Sequence, residues 1–173
     1  MITYTNIERS QTMVTEAEMK QFENLKTIKE NTAYKVTAAE LSHFLDNEAE
    51  LAERIADRKK QYEKENSVNK TNAYYDIEEK CQISMETLKK VIYGKIKATR
   101  TLLYKFTVGF QMDLQEANEY FELCGGPLTI KRSDDYICIN ALRDKDSIEQ
   151  LVADFEKHLD LKIGYGTTTK KGK

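Results

Sequence analysis

Structure-breaking residues are scarce in this chain. It has one proline (Pro127), no tryptophan and seven glycines, the first of which is Gly94. More than half of the sequence therefore runs without the commonest helix stop, which argues against a barrel or sandwich with turns every ~8–12 residues. No apolar run approaches the ~18 residues of a membrane span. Met1 to Ser10 is polar and lacks the basic-then-apolar layout of a secretory signal. Cys81, Cys124 and Cys138 form no Cys-x-x-Cys pair, and neither histidine, His43 or His158, lies near them in sequence. A zinc site of about four clustered nitrogen or sulfur ligands is thus not expected. The expectation is three reduced thiols in a cytosolic protein, with both histidines on helix surfaces. No nucleophile elbow, phosphate-cradling loop or metal motif frames the polar residues, so neither catalytic residues nor a cofactor are predicted.

What is present is helix-forming and charged. The 173 residues are enough for a buried core, and the balance of 32% charged to 40% hydrophobic residues is that of a globular chain. The net charge of −2 conceals a polarised distribution. Between residues 80 and 105, Lys80, Lys89, Lys90, Lys95, Lys97, Arg100 and Lys105 face only Glu86, whereas residues 106–163 carry a net −6 and the tail 164–173 a net +3. A concentrated basic run flanked by acidic segments reads as a face for an anionic partner or, more plainly, as a solvated helix face.

Helix-start signals recur along the chain. Thr15-Glu16-Ala17-Glu18 and Thr37-Ala38-Ala39-Glu40 both have the form of a capping box. They predict a helix over about 16–31 and, after Thr37, apolar positions at Leu41, Phe44, Leu45, Leu51, Ala52, Ile55 and Tyr62. That second stretch is either one helix of nearly thirty residues or two broken near Asp46-Asn47, and the broken form is preferred because Asn47 and Glu50 offer a second start. Residues 65–71 read as a loop. Further helices are expected over 72–82 and 84–93, from Thr99 through Phe110, from Asp113 to the Gly125-Gly126-Pro127 stop, and from Ser133 through Leu142. A last one is capped by Asp146 with Glu149. Tyr136-Ile137-Cys138-Ile139 is the one β-like run, and its helical neighbours make it helical. The fold class predicted is an all-α multi-helix bundle. Its divisions are an N-terminal helical extension (1–47), a central bundle (48–112), a C-terminal helical segment packed on it (113–163) and a basic tail (164–173).

Within the central bundle, Ala73 to Gly94 resembles the helix-turn-helix of Xre/Cro-type proteins. Ile77, Cys81, Ile83, Leu88 and Val91 supply the apolar positions that two short helices need to pack across a tight turn. The stretch to about Ile163 is also similar to a divergent Firmicute-type subgroup of that family, through Glu116-Ala117-Asn118-Glu119 and Leu123 to Leu128. The sequence departs from the family in placing Glu78 where a small residue is usual and Gln82 where glycine is common. The resemblance implies a DNA-binding regulator of the kind carried by phages and mobile elements, acting on double-stranded DNA as a homodimer. It also implies that Ser84, Met85, Glu86, Lys89, Lys90 and Tyr93 face the major groove, with Lys95, Lys97 and Arg100 on the phosphate backbone. The alternative is a protein-interaction adaptor, antitoxin-like or active in phage defence or counter-defence, that keeps the fold without binding DNA.

Overall fold

The computed structural model describes residues 37–165. The helix expected over 16–31 lies outside the described residues, as does most of the tail. The chain divides into two compact units, Met1–Asn47 and Glu48–Lys173. Among the described residues the secondary structure is entirely helical, with no strand: α1 (Ala38–Asn66), α2 (Lys70–Cys81), α3 (Met85–Ile92), α4 (Arg100–Gly109), α5 (Leu114–Glu122), α6 (Ser133–Asp144) and α7 (Ile148–Leu159). The predicted multi-helix bundle is what forms, and Tyr136–Ile139 lies within α6. No helix among these residues is long and apolar enough to cross a membrane.

Helix α1 corrects one expectation. It runs unbroken for 29 residues, straight through Asp46-Asn47. Its start is the reciprocal capping box: the Glu40 N–H donates to Thr37 Oγ1 at 3.1 Å and the Thr37 N–H to Glu40 Oε2 at 2.7 Å. Asn47 does not restart the helix, because Glu50 is engaged one turn ahead with Arg54 at 3.0 Å rather than turned back as a cap. With no glycine or proline in the stretch, nothing stops propagation until Ser67, whose φ of 53° ends the helix. In the first unit Leu41 and Leu45 are buried as expected, but Phe44 is 45% exposed.

The second unit is organised around α4. Seven of its ten residues are buried, including Leu103, Tyr104, Phe106 and Val108, so it is apolar nearly all round, as a central helix must be. It packs against α2, α5, α6 and α7. Tyr104 lies between Phe121 and Phe155, with ring centroids at 5.5 and 5.4 Å, and Phe106 packs on Tyr120 at 5.8 Å. Thr107, fully buried, donates its hydroxyl to Leu103 O at 2.7 Å, so its own donor is paired. At Gly109 α4 lies close against α2: a Cβ there would stand 2.5 Å from Cys81 Sγ and 2.8 Å from Lys80 O.

Most caps fall where the polar residues predict them. Ser84, Thr99 and Asp113 each accept a backbone N–H of the helix they precede. Helix α6 follows Arg132 with no side-chain cap, and two other starts are shifted. Asn69 caps α2, which therefore starts at Lys70 and shortens the expected loop to Ser67–Asn69. Ser147, not Asp146, caps α7 by accepting the Gln150 N–H at 3.2 Å. Cys81, Cys124 and Cys138 are free thiols, and burial pushes Cys81 and Cys138 up to about 12.

Candidate nucleic-acid interface

Helices α2 and α3 are joined by three residues, Gln82-Ile83-Ser84. Gln82 takes the left-handed conformation (φ 50°, ψ 40°) that ends α2, a geometry glycine would adopt more cheaply. The turn is held from three sides. Lys105 of α4 donates to Gln82 O at 2.7 Å. Ile83 is buried beneath the turn. Glu78 accepts the Met85 N–H at 2.9 Å. A carboxylate at the start of α3 satisfies one of its orphan donors and complements the positive end of the helix. The charged side chain at position 78 is therefore accommodated as an external cap, without tilting into the core.

All five apolar positions singled out by spacing, Ile77, Cys81, Ile83, Leu88 and Val91, are buried, none more than 2% exposed. With Leu88 and Val91 facing inward, the opposite side of α3 presents Glu86, Lys90 and Tyr93 to solvent, and Met85 and Lys89 stand half-buried on its flanks. Ser84, Lys95 and Lys97 are exposed at its two ends.

The lysines of this face already have protein partners. Lys90 Nζ meets Glu86 one turn earlier at 2.6 Å. Lys89 Nζ lies 5.0 Å from the centre of the Tyr74 ring, which Lys59 also approaches at 4.2 Å. Tyr93 accepts from Lys70 Nζ at 3.2 Å, and that ammonium holds the Tyr93 phenol below its ordinary value. Tyr74, bonded to Tyr93, is pushed up to about 12 by burial. Lys97 lies near Glu48, whose carboxyl is raised by burial and held back by that lysine.

Arg100 departs most from the expected set. Rather than facing a phosphate, its guanidinium is spent on protein acceptors: Nε and Nη2 on the two oxygens of Asp135 at 2.9 and 2.7 Å, Nη1 on Cys124 O and Gly126 O at 2.8 Å each, and Nη2 also on Pro127 O at 3.2 Å. Positive φ at Gly125 (83°) and Gly126 (109°) shapes the loop that presents these carbonyls. Asp135 is fully buried, and it also accepts from Tyr104 Oη and, at 3.0 Å, the Thr129 N–H. Burial would raise its carboxyl, but these donors outweigh burial and hold it low. Spacing alone missed Asp135: it lies 35 residues from Arg100, beside Asp134 in the first turn of α6, where an acidic residue looks like an ordinary helix-start preference.

A second surface lies between α6 and α7, a cleft of about 590 Å³ lined by Ile130, Tyr136, Ile137, Asp154, His158 and Leu159. Among the described residues no group of three or more His, Cys, Asp or Glu could hold a metal ion. Both histidines lie exposed on helices, His43 on α1 and His158 on α7. The chain matches no protein-family model, no curated protein and no solved structure.

Proposed function

We propose that α2 and α3 form a helix–turn–helix that docks on double-stranded DNA, and that the protein is a cytoplasmic transcriptional regulator working as a homodimer on paired half-sites. The observation that carries this reading is the division of α3: its apolar residues are buried, while Glu86, Lys90 and Tyr93 stand open, flanked by Lys89 and followed by exposed Lys95 and Lys97. A capped helix of eight residues with this polarity suits the major groove. The Glu86–Lys90 pair is no obstacle, since an exposed pair at this spacing contributes little to stability and is readily exchanged for a phosphate. Glu86 then becomes available as an acceptor for cytosine N4. The test is titration of labelled duplexes of random and enriched sequence over a salt series. Affinity that falls steeply with salt supports the reading, and absence of binding at low salt removes it.

A second reading, a protein-binding adaptor of the antitoxin or phage-defence kind, is favoured by a different observation. The cleft between α6 and α7 leaves Ile130 73% and Tyr136 52% exposed on the acidic half of the chain. Adjacent apolar side chains of this size at a cleft mark a contact surface more often than scattered ones do.

A further inference from the structure

After α7 the chain returns to the helix pair along a fixed path. Asp160 reverses direction in the left-handed conformation, and the Leu161 N–H closes on Phe155 O at 3.2 Å. Ile163 is buried in the core, two residues before Tyr165. Gly164 lies where a Cβ would stand 2.8 Å from Gln82 Oε1 and 2.9 Å from Val152 Cγ1, so the backbone passes close against the α2–α3 turn. Tyr165 then makes two contacts there. Its N–H donates to Gln82 Oε1 at 3.3 Å, and its hydroxyl donates to Glu78 O.

Both acceptors belong to the junction that orients α3. Glu78 O is among the last four carbonyls of α2, a group that a helix leaves without internal partners. The Glu78 carboxylate accepts the Met85 N–H at 2.9 Å, so one residue joins Tyr165 to the first turn of α3. Gln82 is held at both of its oxygens, the carbonyl by Lys105 Nζ at 2.7 Å and the side-chain Oε1 by Tyr165. This gives glutamine a reason to occupy a left-handed position (φ 50°) that costs glycine less: glycine has no side chain to reach the returning chain. We propose that Tyr165 is a positioning residue for duplex binding, bracing the α2–α3 turn through Gln82 and Glu78 and so fixing how α3 is presented, an inference that rests on the helix–turn–helix reading above. In this role Tyr165 touches no phosphate. It removes freedom from the turn before DNA arrives, which lowers the ordering cost of binding and leaves counterion release unchanged.

The experiment compares the full chain with Tyr165→Phe, which keeps the ring, 51% exposed, and deletes only the hydroxyl. Two readouts are taken well below the melting temperature: amide hydrogen exchange without DNA, and duplex titration over a salt series. Loss of the hydroxyl contact should speed exchange at Ile83, Ser84 and Met85 by roughly two- to ten-fold. Duplex affinity should fall by roughly three- to ten-fold with the salt slope unchanged. Gln82→Met should also speed exchange at the turn, and Gln82→Glu, which keeps an acceptor oxygen at the same reach, should restore it. Asp113→Ala removes a cap that engages Glu116 rather than the turn, and it should leave turn exchange and affinity as they are. Unchanged exchange and affinity in Tyr165→Phe would overturn the brace while leaving the helix pair in place. Faster exchange with unchanged affinity would overturn the positioning role, as would an equal loss of affinity in Asp113→Ala, which would reduce the effect to stability alone. A shallower salt slope in Tyr165→Phe would overturn it too, by making the tyrosine a phosphate contact. A full chain that binds no duplex at all removes the helix–turn–helix reading and the positioning role together.

Discussion

Arg100 and Asp135 meet edge to edge, two parallel N–H···O contacts of 2.9 and 2.7 Å joining the start of α4 to the first turn of α6. The arginine side chain is 14% exposed and the aspartate fully buried, so neither charge can be left alone at low cost. Removing one partner of a buried pair typically costs about 3–5 kcal/mol, because the other charge remains desolvated. Arg100→Ala and Asp135→Ala are each expected to lower stability by that order in urea unfolding. Arg100→Lys should recover only part of it, since an ammonium cannot span both carboxylate oxygens and three loop carbonyls. Full stability in Arg100→Ala would contradict the assignment.

The same centre sets an acid limit. Asp135 and Asp134 both titrate below the ordinary carboxylate range, Asp135 because its hydrogen-bond donors outweigh burial and Asp134, at about 2, chiefly through Arg132. A carboxyl lowered by folding contributes stability that is complete above its unfolded pKa of ~3.9 and is lost as pH falls toward the folded value. Melting temperature is therefore expected to be insensitive to this centre above about pH 5 and to decline below about pH 4. The decline should be smaller in Asp135→Asn, measured against that variant's own neutral value.

Close approach of helices gives a steric prediction. Gly109→Ala must displace either the Cys81 side chain or the α2 backbone, since its Cβ would meet Lys80 O and Cys81 Cα as well as the sulfur. A loss of about 1–3 kcal/mol is expected, as for other overpacked cores. Cys81→Ala, combined with it, should restore little, because two of the three clashes are with backbone. Substantial rescue by Cys81→Ala would place the strain on the sulfur alone.

Within α3 the two faces should separate cleanly. Leu88→Ala truncates a fully buried side chain and is expected to cost ~2–5 kcal/mol. Lys90→Ala, on the open face, should change stability by less than about 0.5 kcal/mol. Equal effects would mean that the inward and outward faces have been exchanged.

How far the sequence led depended on whether a feature was local. Caps at Thr37, Ser84, Thr99 and Asp113 were legible because a hydroxyl or carboxylate acts within three residues of itself. The core of the α2–α3 pair was legible through the spacing of Ile77, Cys81, Ile83, Leu88 and Val91. Arg100 was misread because a basic residue after a cationic helix looks like a phosphate ligand until distant carbonyls and Asp135 are brought to it. The continuity of α1 was misjudged because Asn47 has the form of a cap but sits in a stretch where helical i,i+4 pairing, Glu50 with Arg54, is available. The return of Tyr165 to Glu78, across 87 residues, left no local signal at all.

The central claim is that the open face of α3 meets a duplex, and charge reversal there tests it most directly. The double variant Lys89→Glu/Lys90→Glu should retain the helical circular-dichroism spectrum, since Lys90 is exposed and Lys89 lies on a flank outside the core. Each reversal replaces an attraction to phosphate by a repulsion, so duplex affinity at about 50 mM salt should fall by at least about a hundred-fold, with a shallower salt slope. A folded double variant that binds duplex DNA as tightly as the unmodified chain would contradict the account.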